Sequence, residues 1–149
     1  MPLITEDLVL LDIETTDRAA ATRELAARLG AAGRVTDVEA FLVDVAAREA
    51  QMATGLEGGI GLPHARSAAV VEPSLAFARS ADGIDWGAPD GPAHLVFLIA
   101  APDGGGAEHM KILAALARRL VHQSFKDALA AAADSAAVVK LITEEVIDR

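Results

Sequence analysis

The stretch TGLEGGIGLPHARSAAV, residues 54–70, sets one histidine behind a proline, after a run of glycines and ahead of small apolar residues. A neutral imidazole has one nitrogen that donates and one whose lone pair can attack, and a carbonyl bonded to the first selects the tautomer that exposes the second. Pro63 fixes its own φ near about −65° and biases Leu62 towards extended geometry, so His64 arrives on a backbone with few conformations to lose. The preceding glycines remove side-chain bulk and leave room for a large partner or a phosphoryl group. His64 is therefore the candidate nucleophile; the plain alternative is a loop histidine capping a strand end.

Other residues are spaced to help. His109 lies three and four residues before Ile112 and Leu113, which places it on the core-facing side of a helix just after Gly104-Gly105-Gly106. Free amides and the helix dipole favour an anion at such a start, and a phosphoryl group on His64 would find donors there. Arg48 offers a forked guanidinium for the same anion, or else complements the carboxyl end of its own helix. Glu49 falls on the apolar stripe of that helix. Buried without a partner it would be costly, so it is expected to orient a donor near the glycine segment, either Arg48 or a backbone amide. Thr54 either binds the phosphate or caps the turn, the turn being the simpler reading. His94 and His122 have ordinary structural explanations, and Trp86 reads as a local core plug.

Competing chemistries are poorly served. The glycine segment lacks the third glycine of a dinucleotide loop and the Gly-Lys-Ser/Thr ending of a P-loop, and HExxH, EF-hand and GxSxG patterns are absent. Two separated histidines without an evident third ligand or a paired serine argue against a metal site or a hydrolase, so neither a metal nor a cofactor is expected.

The elements that must position these residues follow from periodicity and punctuation. Leu8–Ile13 is apolar and branched enough for an early strand, and Thr16-Asp17 starts a helix that Gly30 or Gly33 would stop. Thr36 and Glu39 form a capping-box pattern for a second helix with the stripe Val38, Phe41, Leu42 and Val45. SLAFARS and HLVFLIAA are candidate strands separated by the turn-rich ADGIDWGAPDGP; the second reads as an interior strand. A helix carrying Ile112, Leu113, Leu116 and Leu120 on one face follows, then a short helix from Ser124 and a last one from Asp134 or Ser135. This alternation describes an α/β protein, and no linker divides residues 1–149, which are expected to form one domain.

Composition agrees. With 52% hydrophobic residues but only 3% aromatic ones, the 149-residue chain must fill its core with Leu, Val, Ile and Ala. Thirteen Lys and Arg against 22 Asp and Glu give a net charge of −9, which would repel a phosphate backbone and argues against nucleic acid. The absence of cysteine rules out disulfides and thiolate chemistry within the chain. The acidic N-terminal stretch is unlike a signal peptide, and no apolar run reaches the roughly 18 residues of a membrane span, so a cytoplasmic protein without direct membrane insertion is expected.

REAQMATGLEGGIGLPHA, GIDW, HLVFLIAAP and EHMKILAALARRL, in that order, resemble the type 2 (fructose/mannitol-type) enzyme IIA domain of the phosphoenolpyruvate-dependent sugar phosphotransferase system. The likeness runs from about Leu8 to about Ile142 and is most specific at Pro63-His64-Ala65. It implies a mixed central β-sheet flanked by α-helices, and a histidine phosphorylated on a ring nitrogen that corresponds to His64. His109 matches the family's second active-site histidine and Arg48 its arginine, both stabilising the phosphate. Three positions depart from the commonest pattern: Glu57 and Ala65 replace glycine, and Gly61 replaces alanine. The small residues at 61 and 65 should fit. A carboxylate roughly 8 Å from a phosphate would oppose it by about 2 kcal/mol per unit charge at an effective dielectric near 20, so Glu57 is expected to turn to solvent.

The resemblance implies a phosphocarrier that accepts a phosphoryl group from the phosphorylated histidine-containing phosphocarrier protein and donates it to a IIB component coupled to a membrane IIC, for sugar uptake. Because fructose- and mannitol-type IIB components use a phosphocysteine, a chain without cysteine is expected to meet IIB on a separate polypeptide. The alternative is a regulatory, nitrogen-related IIA-like module that binds partners according to its phosphorylation state.

Overall fold

The computed structural model describes residues 2–104 and 106–147, the side chains of 106, 108 and 109 apart. Asp17 opens the first long helix, α1 (Arg18–Ala31), by accepting from the Ala20 amide at 3.0 Å, and the helix buries Ala21, Leu25, Ala26 and Leu29. The second helix, α2 (Val38–Gln51), starts differently from the expected capping box. Its cap is Asp37, bonded to the Ala40 amide at 3.1 Å, because Thr36 donates its hydroxyl to Ala69 O and Glu39 pairs with Arg23. Long-range partners have drawn both members of the local motif away.

Among the described residues, six strands form one mixed sheet. The early strand is only β1 (Val9–Leu10), preceded by a 3-10 turn at Glu6–Leu8 and paired in parallel with β5 (Ser74–Ile84). It is shorter than the expected span from Leu8 to Ile13 because the chain beyond it is held by Arg79, whose Nε donates to Leu11 O and whose carbonyl accepts from the Ile13 amide. β5 runs antiparallel to β6 (Ala93–Pro102), with Phe77 opposite Phe97 at a ring separation of 5.2 Å. Leu95 to Ala101 are all buried, as befits an interior strand covered on both faces.

The far side of β6 is lined by the glycine segment. It contributes β2 (Gly55–Leu56), β3 (Ile60–Gly61) and β4 (His64–Ser67), with β3 and β4 parallel to β6 and β2 antiparallel to β3. α1 packs on β5, α2 on β4, and α3 (Gly106–Leu120) on β6, with Leu116 and Leu120 buried. α4 (Gln123–Ala131), preceded by His122, and α5 (Ser135–Ile142), capped by Asp134, complete the helical layers before a π-helical turn at Thr143–Ile147. Among the described residues, one hydrophobic core joins these elements, β2 excepted.

Candidate functional site

β3 and β4 are one strand interrupted. Ile60 faces Leu95 and Gly61 faces Val96; after Leu62 and Pro63 the ladder resumes in the same register, with His64 facing Ile99. Proline can donate nothing to β6, but its carbonyl accepts from the Ile99 amide at 3.0 Å, so the strand keeps its course through the gap. Leu62 turns its backbone groups the other way. Its amide donates to Thr54 O at 3.1 Å, and its carbonyl accepts from His64 Nδ1 at 2.8 Å. A carbonyl can only accept, which assigns the ring hydrogen to Nδ1 and makes Nε2 the unprotonated nitrogen.

The half-buried His64 stands at an open depression of about 820 Å³ lined by Asp44, Arg48, Gln51, Arg66, Met110 and Leu113 among others. Burial of the ring lowers its pKa from the ordinary histidine value; the Leu62 carbonyl raises it, Arg48 lowers it and Glu49 raises it, with burial dominant. Burial thus favours the uncharged imidazole. Arg48, whose Nη1 donates to Met52 O at 3.3 Å, brings a cation to the same depression from the last turn of α2.

Two of the expected site residues bind one another. Thr54 is 6% exposed; its hydroxyl donates to Glu49 Oε1 at 2.6 Å and accepts from Trp86 Nε1 at 3.1 Å, so its only proton is not available to a phosphate. Glu49 also accepts from the Thr54 amide at 2.7 Å, while Arg18 Nη1 approaches its Oε2 at 3.4 Å. The carboxylate thus meets a backbone amide beside the glycine segment and not Arg48. His109 lies in the first turn of α3, but its side chain, like Gly105, lies outside the described residues. Glu57 is exposed and is not part of the lining of the depression.

The contribution of Trp86 goes beyond plugging the core. It is 1% exposed, its indole N–H reaches Thr54, and a methyl group built on Gly61 would lie 2.8 Å from its Cδ2. The requirement that a buried indole N–H find an acceptor was the sequence signal, although nothing local names Thr54. Arg18 carried no such signal, because only the fold brings it near, whereas Arg66 follows His64 by two residues on β4 and so shares its face of the strand. Among the described residues, no group of three or more His, Cys, Asp or Glu is placed to hold a metal, and no helix is long and apolar enough to cross a membrane.

A family model described as "Phosphoenolpyruvate-dependent sugar phosphotransferase system, EIIA 2" matches residues 2–145. The chain is 45% identical over 116 residues to a fructose-specific EIIA component of Haloferax volcanii, covering 77% of this chain and 75% of that protein. It is 36% identical over 143 residues to a fructose-specific EIIABC component of Bacillus subtilis, covering 95% of this chain but only 22% of that much longer protein. Among solved structures, the nitrogen regulatory protein IIA-Ntr from Neisseria meningitidis superposes with a TM-score of 0.85 at 27% identity, over 95% of this chain and 97% of that one.

Proposed function

Because this chain belongs to the EIIA type 2 family of the phosphoenolpyruvate-dependent sugar phosphotransferase system, we propose that it is a phosphocarrier whose phosphorylated residue is His64. In this reading it works in the cytoplasm, with residues 1–149 as one domain. It takes a phosphoryl group from the phosphorylated histidine-containing phosphocarrier protein and gives it to a IIB component coupled to a membrane IIC, for sugar uptake. The observation that carries the reading is the 2.8 Å bond from His64 Nδ1 to Leu62 O, which puts the hydrogen of the neutral ring on Nδ1 of a histidine that lines an open depression together with Arg48.

The Nε2 lone pair attacks the phosphorus of the donor phosphohistidine. The new N–P bond forms as the donor's breaks, and its electron pair returns to the donor imidazole. In the second transfer the thiolate of IIB attacks, and the pair in the N–P bond returns to Nε2. Since Nε2 carries no hydrogen, no base has to remove one. The protein's task is positioning and charge stabilisation, which fits donors from Arg48, His109 and the first-turn amides of α3 to the equatorial oxygens. Uptake is favoured over regulation because the fructose-specific relatives are 45% and 36% identical, against 27% for the IIA-Ntr structure. The name of the Bacillus relative, EIIABC, supports IIB and IIC as the next components.

The test is incubation with phosphoenolpyruvate, enzyme I and the phosphocarrier protein. An acid-labile, alkali-stable phosphate should form on the wild type and be absent from His64→Ala. Retention of label by His64→Ala would refute the assignment.

A further inference from the structure

We infer that Glu49 is a positioning residue for His64, acting by withholding the Thr54 amide from the Leu62 carbonyl. The consequence for phosphotransfer rests on the function proposed for His64, but the geometry does not.

The argument starts from an incomplete pair. β2 and β3 run antiparallel with Gly55 opposite Gly61, so the next pair outward is Thr54 opposite Leu62. In a hydrogen-bonded antiparallel pair, two residues exchange both N–H···O bonds. Here only one is made: Leu62 donates to Thr54 O at 3.1 Å, while the Thr54 amide turns to Glu49 Oε2 at 2.7 Å. The Leu62 carbonyl is thereby left to accept from His64 Nδ1. A carbonyl oxygen has two lone pairs, so extending the ladder by one bond would add a backbone amide beside the imidazole and draw towards the ladder the oxygen that fixes the tautomer.

The diversion is held firmly. Glu49 Oε1 accepts the Thr54 hydroxyl, so the carboxylate grips amide and side chain of the same residue, and Trp86 Nε1 donates to that hydroxyl from the other side. Arg18 Nη1 lies 3.4 Å from Glu49 Oε2 and 3.3 Å from Trp86 O, offsetting part of the cost of a carboxylate whose side chain is only 17% exposed. A turn at Thr54 alone would not require a carboxylate in so dry a position. The amide, hydroxyl and carbonyl of Thr54 are all bound, and the Leu62 amide and carbonyl inherit that order.

Charge and geometry separate by substitution. Glu49→Ala removes both, Glu49→Asp keeps the charge but draws the acceptor back by one methylene, and Glu49→Gln removes the charge but keeps an oxygen for the amide. The experiment is ¹⁵N NMR of histidine-labelled full chain, which reports the His64 tautomer, alongside initial phosphorylation rates and circular dichroism. Wild type and Glu49→Gln should show the Nδ1–H form. Glu49→Ala and Glu49→Asp should gain the Nε2–H form and lose about tenfold to a hundredfold in rate, as a displaced reacting group does.

If Glu49→Ala fails to fold, Glu49→Asp decides. Wild-type tautomer and rate in either folded variant would overturn the inference. So would loss of the Nδ1–H form in Glu49→Gln, which would assign the effect to charge. Should His64 of the wild type take no phosphate, the phosphocarrier reading falls while the tautomer comparison still decides the role of Glu49.

Discussion

Replacing Gly55 by alanine tests how tightly the segment before His64 is walled. A methyl group built there would lie 2.5 Å from Trp86 O, 2.9 Å from Ala88 N and 3.0 Å from Trp86 C. These are backbone atoms, and the carbonyl is also held by Arg18, so β2 itself has to move. Overpacking costs about 1–3 kcal/mol, and an obstacle that cannot rotate away belongs at the upper end. For a chain of this size about 3 kcal/mol lowers the melting temperature by roughly 6–12 °C. Gly61→Ala meets the Trp86 ring at 2.8 Å, where a side chain can yield, and should cost less. Gly33→Ala is the control. With φ at +76° and nothing within 4 Å of the new methyl group, it should cost only the left-handed strain, about 1 kcal/mol or slightly more. Thermal melts of the three variants should rank Gly55→Ala lowest. A Gly55→Ala protein melting within about 2 °C of wild type, or above Gly33→Ala, would refute the wall.

Four further outcomes are expected. Because burial lowers the His64 pKa from 6.5, the neutral ring persists below that pH and phosphorylation should fail only in more acidic solution; an inflection above 6.5 in the rate profile would contradict this. The same shift makes the unfolded chain bind the proton first, so stability should decline as pH falls from 6.5 through the lowered value, measurable by urea unfolding at several pH values. Arg48→Ala should cut transfer by about a hundredfold, as loss of one transition-state donor does, while leaving the melt nearly unchanged, since its one described bond is to Met52 O. Arg79→Met removes the donor to the carbonyls of Leu129, Ala130 and Ala132 at the end of α4 and should destabilise by about 2–4 kcal/mol; a urea midpoint equal to wild type would show that water replaces it.

The helices were legible where one residue could decide their start. Asp17 and Asp134 each bond an amide three residues on, and the sequence contains the whole interaction. Thr36 and Glu39 misled because Ala69 and Arg23 compete for them, and neither is near in sequence. β5 and β6 announced themselves by apolar runs, whereas β2 and β3 are two residues each, one of them glycine, and β4 is only four residues, all too short to carry a period. Their register is imposed by β6, which holds Ile60, Gly61 and His64 in step across Pro63.

The same division runs through the site. A fixed imidazole at position 64 follows from Pro63 and the glycines, but which of its nitrogens carries the hydrogen depends on a carbonyl at the open end of a two-residue strand. That strand stops where it does because α2 delivers a carboxylate to the amide that would have extended it. Glu49 lies on the stripe of α2 by helical period, and Thr54 follows by chain length, yet their meeting needs the turn between them and the indole of Trp86. The tautomer of His64 is therefore a tertiary property, written in four residues that no local pattern connects.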